Sequence, residues 1–340
     1  MEIDALQHPD FIWTWKSANR RGKVSLWLPY LDKIERLPKG KSDRYCFSFN
    51  GGAVTCHLKE LDFIMLYGAS GNIPVEFLDK LATYRIPMMI HRRNMPRPYI
   101  FYPEAGVDDK DLLTAQIVTR ENLIKRSYVA RMLIHARFKK FEKLIPIPTS
   151  EYHRLASCRT IASIRSIEAR VTRRYWKKYF NEIGCPGVQR RDNSHLVNNA
   201  LDAGSFFLYG IFLRWLLFHK FSPNHGFLHE PTSYPSLCYD LIEPFRYIIE
   251  ESVASAAETS SLSGKENTAI ALQFIKSSLE QEVYVPVTRQ VVSRKNLLHG
   301  VVLALRAYLL SETKRFVIPI EGEKKGGRPP KVSYILPGGR

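Results

Sequence analysis

Several absences narrow the field before any motif is considered. The five cysteines (Cys46, Cys56, Cys158, Cys185 and Cys238) lie far apart, and none belongs to a Cys-x-x-Cys pair. An odd, scattered set gives neither a zinc site nor a disulfide framework, and it fits buried or free thiols in a reducing compartment. Acid is scarce: 33 Asp and Glu stand against 50 Lys and Arg, a formal net charge of +17. A surplus of this size implies a polyanionic partner, with nucleic acid ahead of an acidic membrane surface. Long apolar runs are also missing. The longest, "FFLYGIFLRWLLF" at 206–218, is too short to cross a bilayer and carries Arg214. The opening "MEIDALQHPDFIWTWK" is acidic at its start and has no apolar core, so a secretory leader is not expected. "YGASGN" at 67–72 lacks the Gly-Lys-Ser/Thr ending of a phosphate loop and is expected to be a turn. A cytoplasmic protein is expected.

What is present falls into two stretches. Residues 1–103 are rich in β-branched and aromatic runs separated by turn residues: "FIWTWK", "KVSLWLPY", "YCFSFN", "AVTCHLK" and "FIMLYGA". "NGG" at 50–52 is a hairpin signal. A helix is expected at 75–85, followed by a returning strand in "IPMMIHRR". "PEAGVDDKD" (103–111) marks a linker, set at 104–111. From 112 the periodicity turns helical, over 112–144, 157–180, 196–221, 237–257, 268–280 and 288–314. The tail 319–340 is basic, rich in Gly and Pro, and expected to be mobile. Its "GGRPPK" resembles a minor-groove hook, although a solvated basic tail explains the same composition. The expectation is an α+β multidomain chain: a small N-terminal β-rich, sandwich-like domain (1–103), the linker, and a larger all-α catalytic domain (112–318).

Charge is concentrated where the helices begin. Leu112 to Asp192 holds 18 Lys and Arg against 6 Asp and Glu, which supplies +12 of the total. A solvated helix face ordinarily mixes both signs. Within this segment Arg165, Arg170, Arg173, Arg174, Lys177 and Lys178 are the candidates for DNA phosphate contact.

Against this background one carboxylate is out of place. Ile161, Ile164, Val171 and Tyr175 form an apolar stripe, and the gap in its register is filled by Glu168. A carboxylate on a core-facing stripe stays ionised only beside a cation, strong donors or a metal. A structural ion pair with one of the helix's arginines satisfies the same requirement. A second cluster lies in "NHGFLHEPTSYPSLCYDLIEPFR" (224–246), with His229, Asp240 and Glu243. Asp240 and Glu243 also fit a capping box, and Pro244 fits an early helix position. Taken together, a histidine with two or three carboxylates is a hard ligand set suited to Mn²⁺ or Mg²⁺. On a basic protein that set points to phosphoryl transfer on nucleic acid.

These blocks, in this order, resemble the Cas1 family of CRISPR adaptation integrases over roughly residues 50–315. "GNIPVEFLDKLATYRIPMMIHRR" resembles the end of the family's N-terminal β-domain, and "LLTAQIVTRENLIKRSYVARMLIHARFKKF" its Gln-bearing helix. "IEARVTRRYW" is similar to the glutamate motif and "NNALDAGSFFLYG" to the Asn-x-x-Leu helix. "GFLHE" and "YDLIEPFR" are similar to the histidine and acidic motifs. The resemblance implies Glu168, His229 and Glu243 as ligands of Mn²⁺ or Mg²⁺, with Asp240 as an acidic residue beside them. It also implies a homodimer, a bridging Cas2 dimer, double-stranded DNA as substrate, and transesterification of a DNA 3′-OH onto a repeat phosphodiester. A mobile-element integrase of the same lineage and a non-catalytic nucleic-acid scaffold are the rival readings.

Overall fold

A computed structural model describes residues 2–5, 13–16, 23–38, 43–49, 52–92, 98–103, 111–192, 195–259, 266–324, 327 and 330–340. The chain divides into two compact units, Met1–Asp109 and Lys110–Arg340. Most of the expected linker, 104–110, lies outside the described residues, as do positions 50 and 51 of the hairpin signal and three of the six residues of "GGRPPK".

The first unit has two sheets. One runs β1 (Glu2–Ala5), β6 (Gly52–His57), β5 (Arg44–Phe49), β4 (Leu31–Arg36). The other runs β2 (Trp13–Lys16), β3 (Val24–Pro29), β7 (Leu61–Tyr67), β8 (Met88–His91), β9 (Tyr99–Phe101). β3, β7 and β8 are mutually parallel. Their mainly apolar runs suit this arrangement, because a parallel interior strand is covered on both faces. The buried Ser25 of β3 and Asp62 of β7 satisfy each other through a 3.0 Å hydrogen bond from the Ser25 hydroxyl. Both sheets and helix α1 (Val75–Tyr84) contribute to one core, in which Phe77 meets the edges of Tyr45 and Phe47 with ring centroids 5.1 and 5.6 Å away. Strand β4 escapes the sequence reading for a physical reason. A register shift between Leu31 and Lys33 leaves only Leu31 and Ile34 buried, so its pattern has no period of two.

The second unit is helical. The run expected over 112–144 is two helices, α2 (Leu112–Glu121) and α3 (Leu123–Phe141). They break at Asn122, whose side chain accepts from the Lys125 amide at 3.0 Å. After α4 (Thr149–Ser157) comes α5 (Ile161–Glu182), capped by Thr160. Then follow α6 (Leu196–Phe218), α7 (Ser236–Ile242), a 3-10 turn at Glu243–Phe245, α8 (Arg246–Thr259), α9 (Glu266–Glu280) and α10 (Arg294–Leu309). By length and mean hydropathy (1.4) α6 could cross a membrane, but 78% of that window is buried inside the unit, as in a central core helix.

Two departures from an all-helical unit are local. Residues 282–293, of which 288–293 open an expected helix, form an antiparallel hairpin of β10 (Glu282–Val285) and β11 (Gln290–Ser293). The β-branched "VYV" and "VVS" flank a turn in which Arg289 takes φ 56°, and helix resumes only at Arg294. The tail, expected to be mobile, is docked along its last residues. Arg340 and Val291 exchange backbone hydrogen bonds, and Leu336 is buried against Gly300 of α10. A Cβ at Gly300 would lie 2.2 Å from the Leu336 side chain, so this seat exists only because α10 carries a glycine there.

Beneath α5, Glu250 of α8 is buried at 3% exposure. The Tyr175 hydroxyl donates to its Oε2 at 2.7 Å, while Oε1 has no partner. Burial pushes the carboxyl up, against the partial opposition of Arg137, the Tyr175 bond and Arg246. The sign for stability follows from linkage. A carboxyl raised in the fold contributes fully below its unfolded value, and the contribution is lost as pH rises through the folded value. Glu250→Gln is therefore expected to raise the melting temperature relative to wild type at pH 8 and to leave it unchanged near pH 4. Equal gains at both pH values would show that Glu250 is not the source.

Candidate active site

Four elements of the helical unit bring the predicted residues together around an arginine that the sequence reading passed over. Arg137, on α3, has a side chain 6% exposed. Its Nη1 donates to Oε1 of Glu168 on α5 at 2.9 Å and, in a shorter contact, to Oε2 of Glu243 at the start of the 3-10 turn. The other oxygen of Glu243 accepts from Nε of Arg246 at 3.0 Å. Two carboxylates more than seventy positions apart thus share one guanidinium nitrogen.

Charge explains the titration of the pair. Burial, then the neighbouring Glu243 charge, push Glu168 up, with Arg137, His229 and Arg246 opposing. Burial acts the same way on Glu243, but Arg137 and Arg246 outweigh it and hold that carboxyl below its ordinary value. An extra proton therefore goes to Glu168 first.

His229 sits on the loop between α6 and α7, and this loop is clasped from both sides. Its amides point at α7, where Asp240, fully buried, accepts from the backbone N–H of Phe227, Leu228 (2.9 Å) and His229 (2.9 Å). The carbonyls point at α2 and α3. Arg120 donates to those of Gly226 (2.9 Å) and Glu230 (2.7 Å), and Arg126 to that of Phe227 (3.0 Å). Gln116 spans the start of the loop, donating to the carbonyls of Ser222 and His225 and accepting from the Ser222 amide, each at 2.9 Å. Gly226 is required at the tightest point, because an added Cβ would come within 2.8 Å of the His229 carbonyl and 2.9 Å of Asp240 Oδ2.

The same Asp240 holds the imidazole. Its Oδ1 lies 2.7 Å from His229 Nδ1, so in the neutral ring that nitrogen carries the proton and Nε2 keeps its lone pair. For the imidazolium, burial is unfavourable, yet Asp240, Glu243 and Glu168 together shift His229 upward. The mutual shifts of His229, Glu168 and Glu243 place all three within one electrostatic neighbourhood. The capping-box alternative for Asp240 and Glu243 fails. Asp240 lies inside α7, and its side chain serves the loop above it.

The donor chemistry fits a hard divalent ion. Two carboxylates from different helices already converge on a cation, and an imidazole with its Nδ1 committed stands beside them. Among the described residues, no three His, Cys, Asp or Glu side chains stand together as a ready cage, since the Arg137 guanidinium lies between the two glutamates.

The six basic candidates on α5 are all exposed, but they are not equivalent. Arg170 pairs with the mostly buried Glu151 at 2.6 Å, Arg174 donates to the Pro146 carbonyl at 3.2 Å, and Lys178 pairs with Glu182. Arg165, Arg173 and Lys177 keep their charges for solvent. Arg120, Arg126 and Arg137, which help build the site, carried no sequence signal beyond membership of a basic segment, and Arg246 none beyond its place at the end of the acidic motif.

The family model for "CRISPR associated protein Cas1" matches residues 35–275. A CRISPR-associated endonuclease Cas1 of Pyrococcus horikoshii is 28% identical over 205 residues, covering 56% of this chain and 63% of the relative. A second, from Pyrobaculum aerophilum, is 31% identical over 105 residues, 31% of this chain and 35% of the relative. The chain thus aligns with less than two thirds of the length of either. Among solved structures, a Cas1 protein from Thermotoga maritima superposes with a TM-score of 0.68 at 19% identity, covering 88% of this chain and 100% of that one. A casposase bound to integration product superposes at 0.70 with 19% identity, covering 86% and 92%. At these identities the likeness establishes the fold.

Proposed function

The chain belongs to the Cas1 family of CRISPR-associated proteins, and from that premise we propose that it is a metal-dependent DNA integrase and endonuclease of CRISPR adaptation. Its reaction is the joining of a short DNA fragment to a repeat. The fragment's 3′-OH loses its proton and attacks a repeat phosphodiester. A new P–O bond forms, the old P–O3′ bond breaks, and the departing 3′ oxygen takes up a proton. No covalent protein intermediate is required. The observation that carries this reading is the convergence of Glu168 and Glu243 on one cation, beside an imidazole oriented by Asp240.

Glu168, Glu243 and Nε2 of His229 would hold Mn²⁺ or Mg²⁺. When bound, such an ion polarises the phosphodiester and stabilises the oxyanion that departs. The remaining roles belong to the chain. Asp240 fixes the tautomer and heading of His229, and Arg120 and Arg126 keep its loop from drifting. Arg246 keeps Glu243 ionised. The basic helices position the DNA backbone and carry no sequence preference of their own. The family also suggests a homodimer bridged by a Cas2 dimer, acting on double-stranded DNA in the cytoplasm. The fold shared with a casposase keeps a mobile-element substrate as the second reading.

The direct test is joining of a labelled duplex with a free 3′-OH into a supercoiled plasmid carrying a repeat, in Mn²⁺ or Mg²⁺ and again in excess chelator. Metal-dependent joining at the repeat supports the proposal. Joining that ignores the repeat favours the mobile-element reading, and no joining with any duplex or metal sinks the catalytic one.

The α5 charges give a separate expectation. Arg173→Glu with Lys177→Glu should weaken duplex binding and flatten its salt dependence by roughly one to two units of log–log slope, because two phosphate partners are lost. Arg170→Glu should lower the melting temperature instead, since it strips the mostly buried Glu151 of its nearer partner and leaves only the more distant Arg154. Unchanged affinity and slope in the double variant would move the DNA path off α5.

A further inference from the structure

One feature of the site is not explained by a metal-binding role alone. The position between Glu168 and Glu243 is already taken by a cation of the protein itself. Arg137 uses a single nitrogen, Nη1, for both carboxylates, while its Nε is buried with no hydrogen-bond partner among the described residues. This is a poor way to use a guanidinium, whose planar fork ordinarily meets a carboxylate with two parallel bonds. It is a reasonable way to place one positive charge on the line between two carboxylates. Arg246 adds a second positive charge on the outer oxygen of Glu243. The two guanidiniums balance the two glutamates, so these four groups carry no net charge among them.

That balance has a consequence for the ion, and this inference rests on the metal-dependent reading above. A divalent ion entering this balanced set adds two positive charges at a few ångströms from Arg137, where the repulsion is screened weakly. It becomes favourable when an anion enters with it. A DNA phosphodiester supplies that anion, and a released guanidinium beside it has a bidentate partner of the right geometry. We propose that Arg137 is the resident counter-cation of the site. It keeps divalent-ion affinity low in the free protein and couples ion binding to the arrival of a DNA phosphate. The device would keep a nuclease centre from assembling before its substrate is in place. Arg137 is accordingly a positioning residue in the free protein, and it turns to the phosphate once DNA is bound.

The experiment measures ion binding, not turnover. Mn²⁺ is titrated into the full chain at pH 8 by calorimetry and by loss of the free-ion electron paramagnetic resonance signal. Each titration is run with and without a short duplex. Wild type should bind Mn²⁺ weakly alone and at least about tenfold more tightly with the duplex. Arg137→Gln should bind Mn²⁺ about tenfold more tightly than wild type without DNA, and the duplex should add little more. Arg137→Lys keeps the charge and should bind Mn²⁺ as weakly as wild type without DNA, and a cooperative melting transition of each variant shows that it is folded. Equal Mn²⁺ affinity of wild type with and without duplex overturns the proposal, as does an Arg137→Gln protein that binds no more tightly than Arg137→Lys. Absence of Mn²⁺ binding in wild type under both conditions is a different failure, because it removes the metal reading on which this inference stands.

Discussion

His229→Ala is expected to lose strand joining by roughly a hundredfold or more while DNA affinity stays within about twofold. The two readouts separate because the imidazole and the basic surface do different work. The ring contributes one nitrogen, Nε2, at the centre and one bond, Nδ1 to Asp240. Its side chain is 24% exposed, so truncation leaves no large void. The loop keeps its shape without it, since the amides of Phe227 and Leu228 remain on Asp240 and the carbonyls of Gly226, Phe227 and Glu230 remain on Arg120 and Arg126. The exposed cations of α5 are untouched. Joining is measured with a labelled duplex and a repeat plasmid, and binding with the same duplex by fluorescence anisotropy. Joining at the wild-type rate would remove His229 from the centre. Loss of binding together with joining would mean that the ring holds up the DNA surface, and the proposed division of labour would be wrong.

Asp240→Ala should be among the most damaging single changes in the helical unit. The carboxylate is fully buried and accepts from three backbone amides and the His229 ring. Removing it strands those donors away from water and leaves a hole beneath the loop. The cost of breaking a buried charge-assisted cluster is about 3–5 kcal/mol, a fall of about 10 °C in the melting temperature for a unit of this size. Joining should disappear as well, because His229 loses both its tautomer control and its platform. Asp240→Asn is the sharper probe. It preserves volume but turns an NH₂ group toward N–H donors, so it should be destabilised by less than alanine and still fail in joining. A melting temperature within a degree or two of wild type for Asp240→Ala would show that the arginine clasps alone hold the loop.

How far each part of this reading was legible follows from how locally it is encoded. The strand-rich first unit and the helical second unit were visible because side-chain period and turn chemistry act over a few residues. Glu168 was visible for the same reason, as a carboxylate in register with Ile164, Val171 and Tyr175 on one helix. Asn122 broke a helix that periodicity had joined, because a cap is a hydrogen bond and leaves the apolar pattern intact. Strand β4 and the 282–293 hairpin were missed where a register shift or a short β-branched run gives no clean period.

The sequence by itself determined the charge surplus, the identity of the histidine and carboxylates, and the order in which they occur. Only the tertiary structure decided what surrounds them. Arg137 is one arginine among several on α3, and nothing in its local spacing marks it. It becomes central because α3 packs against the turn carrying Glu243, 106 positions away. Asp240 likewise looks like a helix cap until folding sets it beneath the amides of residues 227–229. The physical reason is the same in both cases: local propensity decides the elements, whereas a buried charge takes its meaning from the partners that distant segments bring to it.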